Sequence, residues 1–228
     1  MARLGARREV RSGILGGGVT QRIWKSLVAS TIGLGLVFAA AGAQAQSIFG
    51  FEVGGDFRTQ AKTHPQPSDV GEAGPYAVVR WNLAGGDQVS VTSSAATGKI
   101  VFIESDWGEN AADAATDIPG LTFGTTTLAD IRSRFGSNGF GFKSNVVNVI
   151  DKNIVSFNCY QVGGDGDQVA VFVTTLPMSS VPIVDGEPAP KLGEGRLDSV
   201  ILASLAYLKE IWGEDRISDP GYRPITLK

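Results

Sequence analysis

Two segments of this chain share one pattern, and it constrains the fold more than any other feature. Residues Val79–Leu83 lead through Gly85-Gly86-Asp87 into Gln88-Val89-Ser90-Val91, and Phe157–Val162 lead through Gly163-Gly164-Asp165 and Asp167 into Gln168-Val169-Ala170-Val171. Aromatic and β-branched residues on both sides of a glycine-rich turn predict a β-hairpin. Period-two alternation places Val89 and Val91 on one buried face. The pair of hairpins suggests a duplicated unit. Turn chemistry offers a second and slightly better reading, because any tight turn selects Gly and Asp.

Around these hairpins the pattern extends. Tyr76–Leu83, Gln88–Thr92 and Lys99–Glu104 predict a three-stranded antiparallel meander over residues 76–104. Val146–Ile150, Asn153–Val162 and Gln168–Thr175 predict a second meander. Between them Thr125, Thr126 or Thr127 can cap a helix over about 125–135, with Leu128, Ile131 and Phe135 on its inner face and Gly136 as its stop. Asp130 and Arg134 are spaced to pair on the outer side. A Pro-rich loop over residues 177–195 precedes a second predicted helix over about 198–212, with Ile201, Leu205, Leu208 and Trp212 as its inner stripe. The expected fold class is therefore α+β: antiparallel β-meanders packed with two helices. The domain is expected over 75–214, preceded by a flexible arm over 46–74 and followed by an irregular tail over 215–228. Phe49, Phe51 and Phe57 are the expected tethers of the arm, and its Pro65 and Pro67 argue against regular structure.

The N-terminal region reads as a secretory signal. Arg22 and Lys25 precede an uncharged apolar run over Leu27–Ala41, which ends in Ala43-Gln44-Ala45, so cleavage is expected near Ala45/Gln46. The run is shorter than the roughly 20 apolar residues of a membrane span. Cys159 is the only cysteine and lies far from the cleavage site, so neither a lipid anchor nor an internal disulfide is expected. Phe157 and Cys159 share a strand face, which predicts a buried thiol and a monomeric band on non-reducing gels. More than 20 residues precede the apolar run, and a start at Val19 would give a signal of ordinary length, so residues 1–18 are suspected to be a mis-assigned start. A periplasmic or secreted protein is expected.

Cleavage changes the charge. Residues 1–45 hold six of the 20 basic residues and one of the 23 acidic ones, which leaves 14 against 22 and a net charge of −8 over 183 residues. Such a surface repels phosphate backbones and anionic membranes, so no nucleic-acid partner is expected.

Gly124-Thr125-Thr126, Asp130-Ile131 and Phe135-Gly136, followed by three strand-like runs, resemble the SmpA/OmlA repeat over about residues 121–176. That family is small, periplasmic and α+β, with a β-lactamase-inhibitor-like fold. The spacing from Thr126 to Gly136 is one residue longer than the family pattern, and the family's lipidated cysteine is absent. The resemblance implies protein–protein contact or envelope assembly rather than catalysis.

Candidate chemistry is sparse. His64 is the only histidine and sits in the arm, where a linker role is expected. Glu104, Asp106, Glu109, Asp113 and Asp117 supply oxygen ligands without the spacing of a calcium loop, so a solvated loop is expected. Glu104 and Asp106 share a strand face and form a candidate carboxylate pair, although nothing specifies a sugar cleft. Trp81 is expected in the core. Trp107, between Asp106 and Gly108, is the candidate exposed contact residue, flanked by Glu104 and Asp106. No catalytic, cofactor or metal residues are assigned. The expected function is an exported, non-catalytic binding or protein-interaction module whose partner is another envelope or secreted protein. The alternatives are a small envelope hydrolase using carboxylates and a purely structural secreted protein.

Overall fold

The structure is a computed structural model, and it describes residues 46–108, 114–163, 166–185 and 187–227. The proposed signal, and Glu109 and Asp113 of the acidic loop, lie outside the described residues.

In chain order the strands are β1 (Ser47–Ile48), β2 (Phe51–Glu52), β3 (Asp69–Ala73), β4 (Tyr76–Asn82), β5 (Gln88–Ser94), β6 (Ile100–Asp106), β7 (Phe140–Phe142), β8 (Val147–Ile150), β9 (Asn153–Val162), β10 (Gln168–Pro177), β11 (Ile183–Val184), β12 (Glu187–Pro188), β13 (Arg196–Ser204) and β14 (Arg216–Ser218). The helices are α1 (Phe57–Gln60), α2 (Leu128–Phe135) and α3 (Leu205–Trp212). Ten strands form one antiparallel sheet in the order β14-β7-β9-β10-β13-β6-β5-β4-β3, with β8 also paired to β9. Both predicted meanders are present, β4-β5-β6 and β8-β9-β10.

What joins them is β13, and here the sequence expectation is corrected. Residues Arg196–Ser204 are a central strand between β10 and β6, not the first half of a helix. The run Val200–Ala203 is apolar on both faces because both faces are covered. Val200 and Leu202 enter one core, and Ile201 and Ala203 enter the other. Such a run carries no period that separates a buried strand from a buried helix. The helix begins only at Leu205, where Ser204 Oγ accepts from the Tyr207 amide at 3.2 Å.

The first face of the sheet carries Val79, Trp81, Val89, Val91, Ile103, Tyr160, Phe172 and Leu202. Ile48 and Phe51, Ile118–Phe123, Ile131 of α2 and the C-terminal Ile225 and Leu227 complete this core. The second face carries Cys159, Val169, Val171, Val173, Ile201 and Ala203, packed with Leu208 of α3. Cys159 is fully buried, and burial pushes its thiol pKa up.

The arm is also corrected: residues 46–73 hold β1, β2, α1 and β3, and Ile48, Phe51 and Val53 complete the first core. Phe49 and Gly50 turn a β1–β2 hairpin with φ of 53° and 76°, which drives Ile48 and Phe51 inward. Asp56 Oδ1 caps α1 by accepting from the Thr59 amide at 2.8 Å. The tail is not irregular throughout, since β14 pairs with β7 and Ile225 bridges Val162.

Candidate functional site

The carboxylates chosen from the sequence lie at one end of the second sheet face. Glu104 on β6 stands opposite Ser90 on β5 and Ile201 on β13, while Asp106 stands opposite Gln88 and Ser199. Both are half-buried. Ser199 Oγ donates to Glu104 Oε1 at 3.5 Å. Burial, then the charge of Asp106, holds the Glu104 carboxyl well above its usual range, against the pull of Ser199, Arg80 and Ser90. Asp106 is pushed up to about 6, first by burial and also by Asp198. Two carboxyl groups that share a poorly solvated face favour one proton between them.

Trp107 is half-buried rather than an exposed contact residue. Its ring lies against Gly124, where a Cβ would sit 2.5 Å from Cη2, and its amide donates to Asp198 O at 2.9 Å. The indole packs on the first core. A tryptophan flanked by Asp and Gly reads as exposed only while Gly124, 17 positions on, is not known to make room for it.

His64 is likewise no linker residue. Its ring stacks on Phe51 at 4.1 Å between centroids, and its nitrogens face Gln60 O at 2.9 Å and Phe49 O. With Trp81 Nε1 donating to Pro65 O at 2.9 Å, it closes the first core beneath the N-terminal hairpin. The role is structural.

A concave site appears elsewhere. Strands β7 and β8 both pair with the same edge of β9, β7 at Cys159 and β8 from Ser156 onward. A recess of about 410 Å³ opens over the break between them. Leu128 and Arg132 of α2, Asn138 and Phe140, Val147 of β8, and Asp219 near β14 meet Ser156–Asn158 there. α2 is held in place by a capping box: Thr127 Oγ1 accepts from the Asp130 amide at 3.1 Å, and Asp130 Oδ2 accepts from the Thr127 amide at 2.9 Å. Asp130 therefore serves the cap rather than the expected pair with Arg134. Gly136 ends the helix at φ 57°, in the left-handed region the sequence called for.

The polar groups of the recess are organised around Arg132. Its Nη2 donates to Asp219 Oδ2 at 2.9 Å and to Asn158 Oδ1 at 3.3 Å. That second bond fixes the Asn158 amide, because the flipped group would set two donors against each other. Asn158 Nδ2 and Arg132 Nε, like Thr174 Oγ1 nearby on β10, are buried without a close partner, and the Tyr160 side chain makes a further hydrogen bond with Arg132. A buried donor left unpaired costs about 1–3 kcal/mol, and neither nitrogen has surface open to the recess. The sequence held a signal for this cluster. Asn158 and Ser156 are polar residues at inward positions of an apolar strand, and Arg132 follows Leu128 by one helical turn on the inner face.

No family model and no curated protein matches the chain. A solved structure of an extracellular protein containing an SCP domain, from Bacillus anthracis str. Ames, aligns with a TM-score of 0.43 and 12% identity. The alignment covers 87% of this chain and 57% of that one. A likeness this low assigns neither a family nor a function. Among the described residues no helix is long and apolar enough to cross a membrane, and no cluster of three metal-ligating side chains occurs.

Proposed function

We propose that this chain is an exported, non-catalytic binding module of the periplasm or extracellular space, and that the Arg132–Asn158 recess is its binding site. The observation that carries the reading is the recess itself, where β7 and β8 part on the edge of β9 and apolar side chains stand beside Arg132, Asn138 and Asp219. The N-terminal basic, apolar and Ala-x-Ala sequence supports export. The SmpA/OmlA resemblance over residues 121–176, which includes α2 and β9, supports a partner-binding role in the envelope. A thermal-shift screen of small carbonyl and carboxylate compounds tests the reading. At least one should raise the melting temperature of the wild type and leave that of Asn158→Ala unchanged. A screen in which every stabilising compound acts equally on both proteins would remove the recess as the site.

The raised carboxyl pKa values of Glu104 and Asp106 favour a second reading, hydrolysis by an acid–base pair. It requires that Glu104→Gln abolish a hydrolytic activity of the purified chain. An activity that survives Glu104→Gln removes it.

A further inference from the structure

We infer that His64 is an acid-held clasp on the N-terminal hairpin: its ring carries hydrogen on both nitrogens in the folded chain, and loss of one proton loosens β1–β2 from the first core. The first observation is what the nitrogens face. Nδ1 lies 2.9 Å from Gln60 O, and Nε2 lies against Phe49 O. Both partners are carbonyl oxygens, which only accept. A neutral imidazole has one N–H, so one contact would set a lone pair against a lone pair. The imidazolium donates to both. Thr63 Oγ1 lies 3.3 Å from Nδ1, but it gives its hydrogen to the same Gln60 O at 3.0 Å.

The second observation is how the surroundings receive the charge. His64 caps the C-terminal end of the helical run 57–63, the end at which the helix dipole favours a cation. Its ring stacks on Phe51 at an interplanar angle of 19° and lies 4.9 Å from Phe49 between centroids, and aromatic faces attract a cation. The charged groups on the surrounding elements are Asp117, whose Oδ2 accepts from the Phe49 amide at 3.1 Å, Glu52 on β2, and Arg58 and Lys62 on the helical run. Arg80 of β4 and Glu104 and Asp106 of β6 stand on the opposite sheet face.

The third observation is strain in the segment that the ring holds. Phe49 adopts φ 53°, a left-handed conformation that bulky residues rarely take. Such strain persists only where neighbours hold it. Here they are His64 at the Phe49 carbonyl and Asp117 at its amide. A Cβ at Gly50 would sit 3.4 Å from Nε2, so the ring lies directly beneath the turn. Histidine changes charge between about pH 5 and 8. A proton kept by the folded chain and released by the unfolded one stabilises the fold in acid, and that contribution is lost as pH rises. The hairpin is therefore closed in acid and loosens toward about pH 8.

The test is NMR of the isotope-labelled chain between about pH 5 and 8. Ring nitrogen shifts read the protonation of His64. Hydrogen-exchange protection, corrected for the intrinsic pH dependence of exchange, reads the closure of β1 and β2. At the acid end both ring nitrogens should carry hydrogen. As the ring loses a proton, protection in β1 and β2 should fall about tenfold, the effect of one carbonyl left unpaired, while that of β9 and β10 holds. His64→Gln, which has no titrating proton, should abolish the fall. If that variant does not fold, the coincidence of the wild-type ring titration with the fall in protection decides. A ring that is neutral at the acid end would overturn the double protonation. A ring that titrates without any change in β1 and β2 would overturn the clasp. A fall that persists in His64→Gln would also overturn it, because Asp117 or another group would then be the sensor.

Discussion

The two Gly-Gly-Asp hairpins have loops of equal length and opposite surroundings. In β4–β5, Asn82 and Gln88 pair across five residues; in β9–β10, Val162 and Gln168 do the same. Yet Val89 and Val91 face the first core, while Val169 and Val171 face the second. A duplicated unit would keep matching residues on matching faces. The shared sequence therefore reflects what a turn demands, and the face is set by what each hairpin packs against. Nearly all of β9 and β10 is buried, with α2 on one side and α3 on the other. The β4–β5 hairpin is covered fully on its first face only, and its second face keeps Arg80, Ser90 and, from β6, Glu104 and Asp106.

This difference can be broken by substitution. The largest effect is expected on the second face of β10. Val171→Asn loses the burial of an aliphatic side chain and inserts an unpaired amide, costing about 3–5 kcal/mol. Ser90→Ala, on the same sheet face of the β4–β5 hairpin, should cost less than about 1 kcal/mol. Urea denaturation measures both, and equal losses would contradict the contrast. Next is His64→Ala, which removes a ring stack and two carbonyl contacts and should cost about 2 kcal/mol in the same assay.

A smaller effect, with a pH signature, is expected at Asp106. Its folded pKa is raised to about 6, whereas an unfolded aspartate titrates near 3.9. Between these values the folded chain binds more protons than the unfolded one, so stability is highest below about pH 4 with respect to this group and falls as pH rises to about 6. Asp106→Asn should remove that decline. After allowance for partial exposure, it should stabilise the protein at pH 7.5 by about 1 kcal/mol. A variant whose stability still falls over the same window to the same extent would show that Asp106 is not the titrating group. The smallest effect belongs to Asp69→Ala. It removes an exposed pair with Arg80 at 3.8 Å, and the change should stay within about 0.5 kcal/mol.

Much of the fold was legible where a local rule sufficed. The limits of β9, the stop of α2 at Gly136 and the three-strand meander follow from turn residues, capping and period-two alternation. The misreadings share one cause. β13, the N-terminal hairpin and the β14 tail are defined by partners distant in sequence. Leu197–Ala203 becomes a strand because β6 and β10 flank it, and Phe51 becomes core because Trp81 and His64 receive it. The site followed the same logic. Glu104 and Asp106 were placed correctly on one face, but Trp107 turned inward on Gly124. The recess brings together Arg132, Asn158 and Asp219 from three separate stretches, a meeting that no spacing announces.

That the recess beside β9 binds a ligand is tested most directly by the thermal-shift screen. A compound that raises the melting temperature of the wild type and leaves that of Asn158→Ala unchanged is the expected result. Stabilising compounds that act equally on both proteins would contradict it.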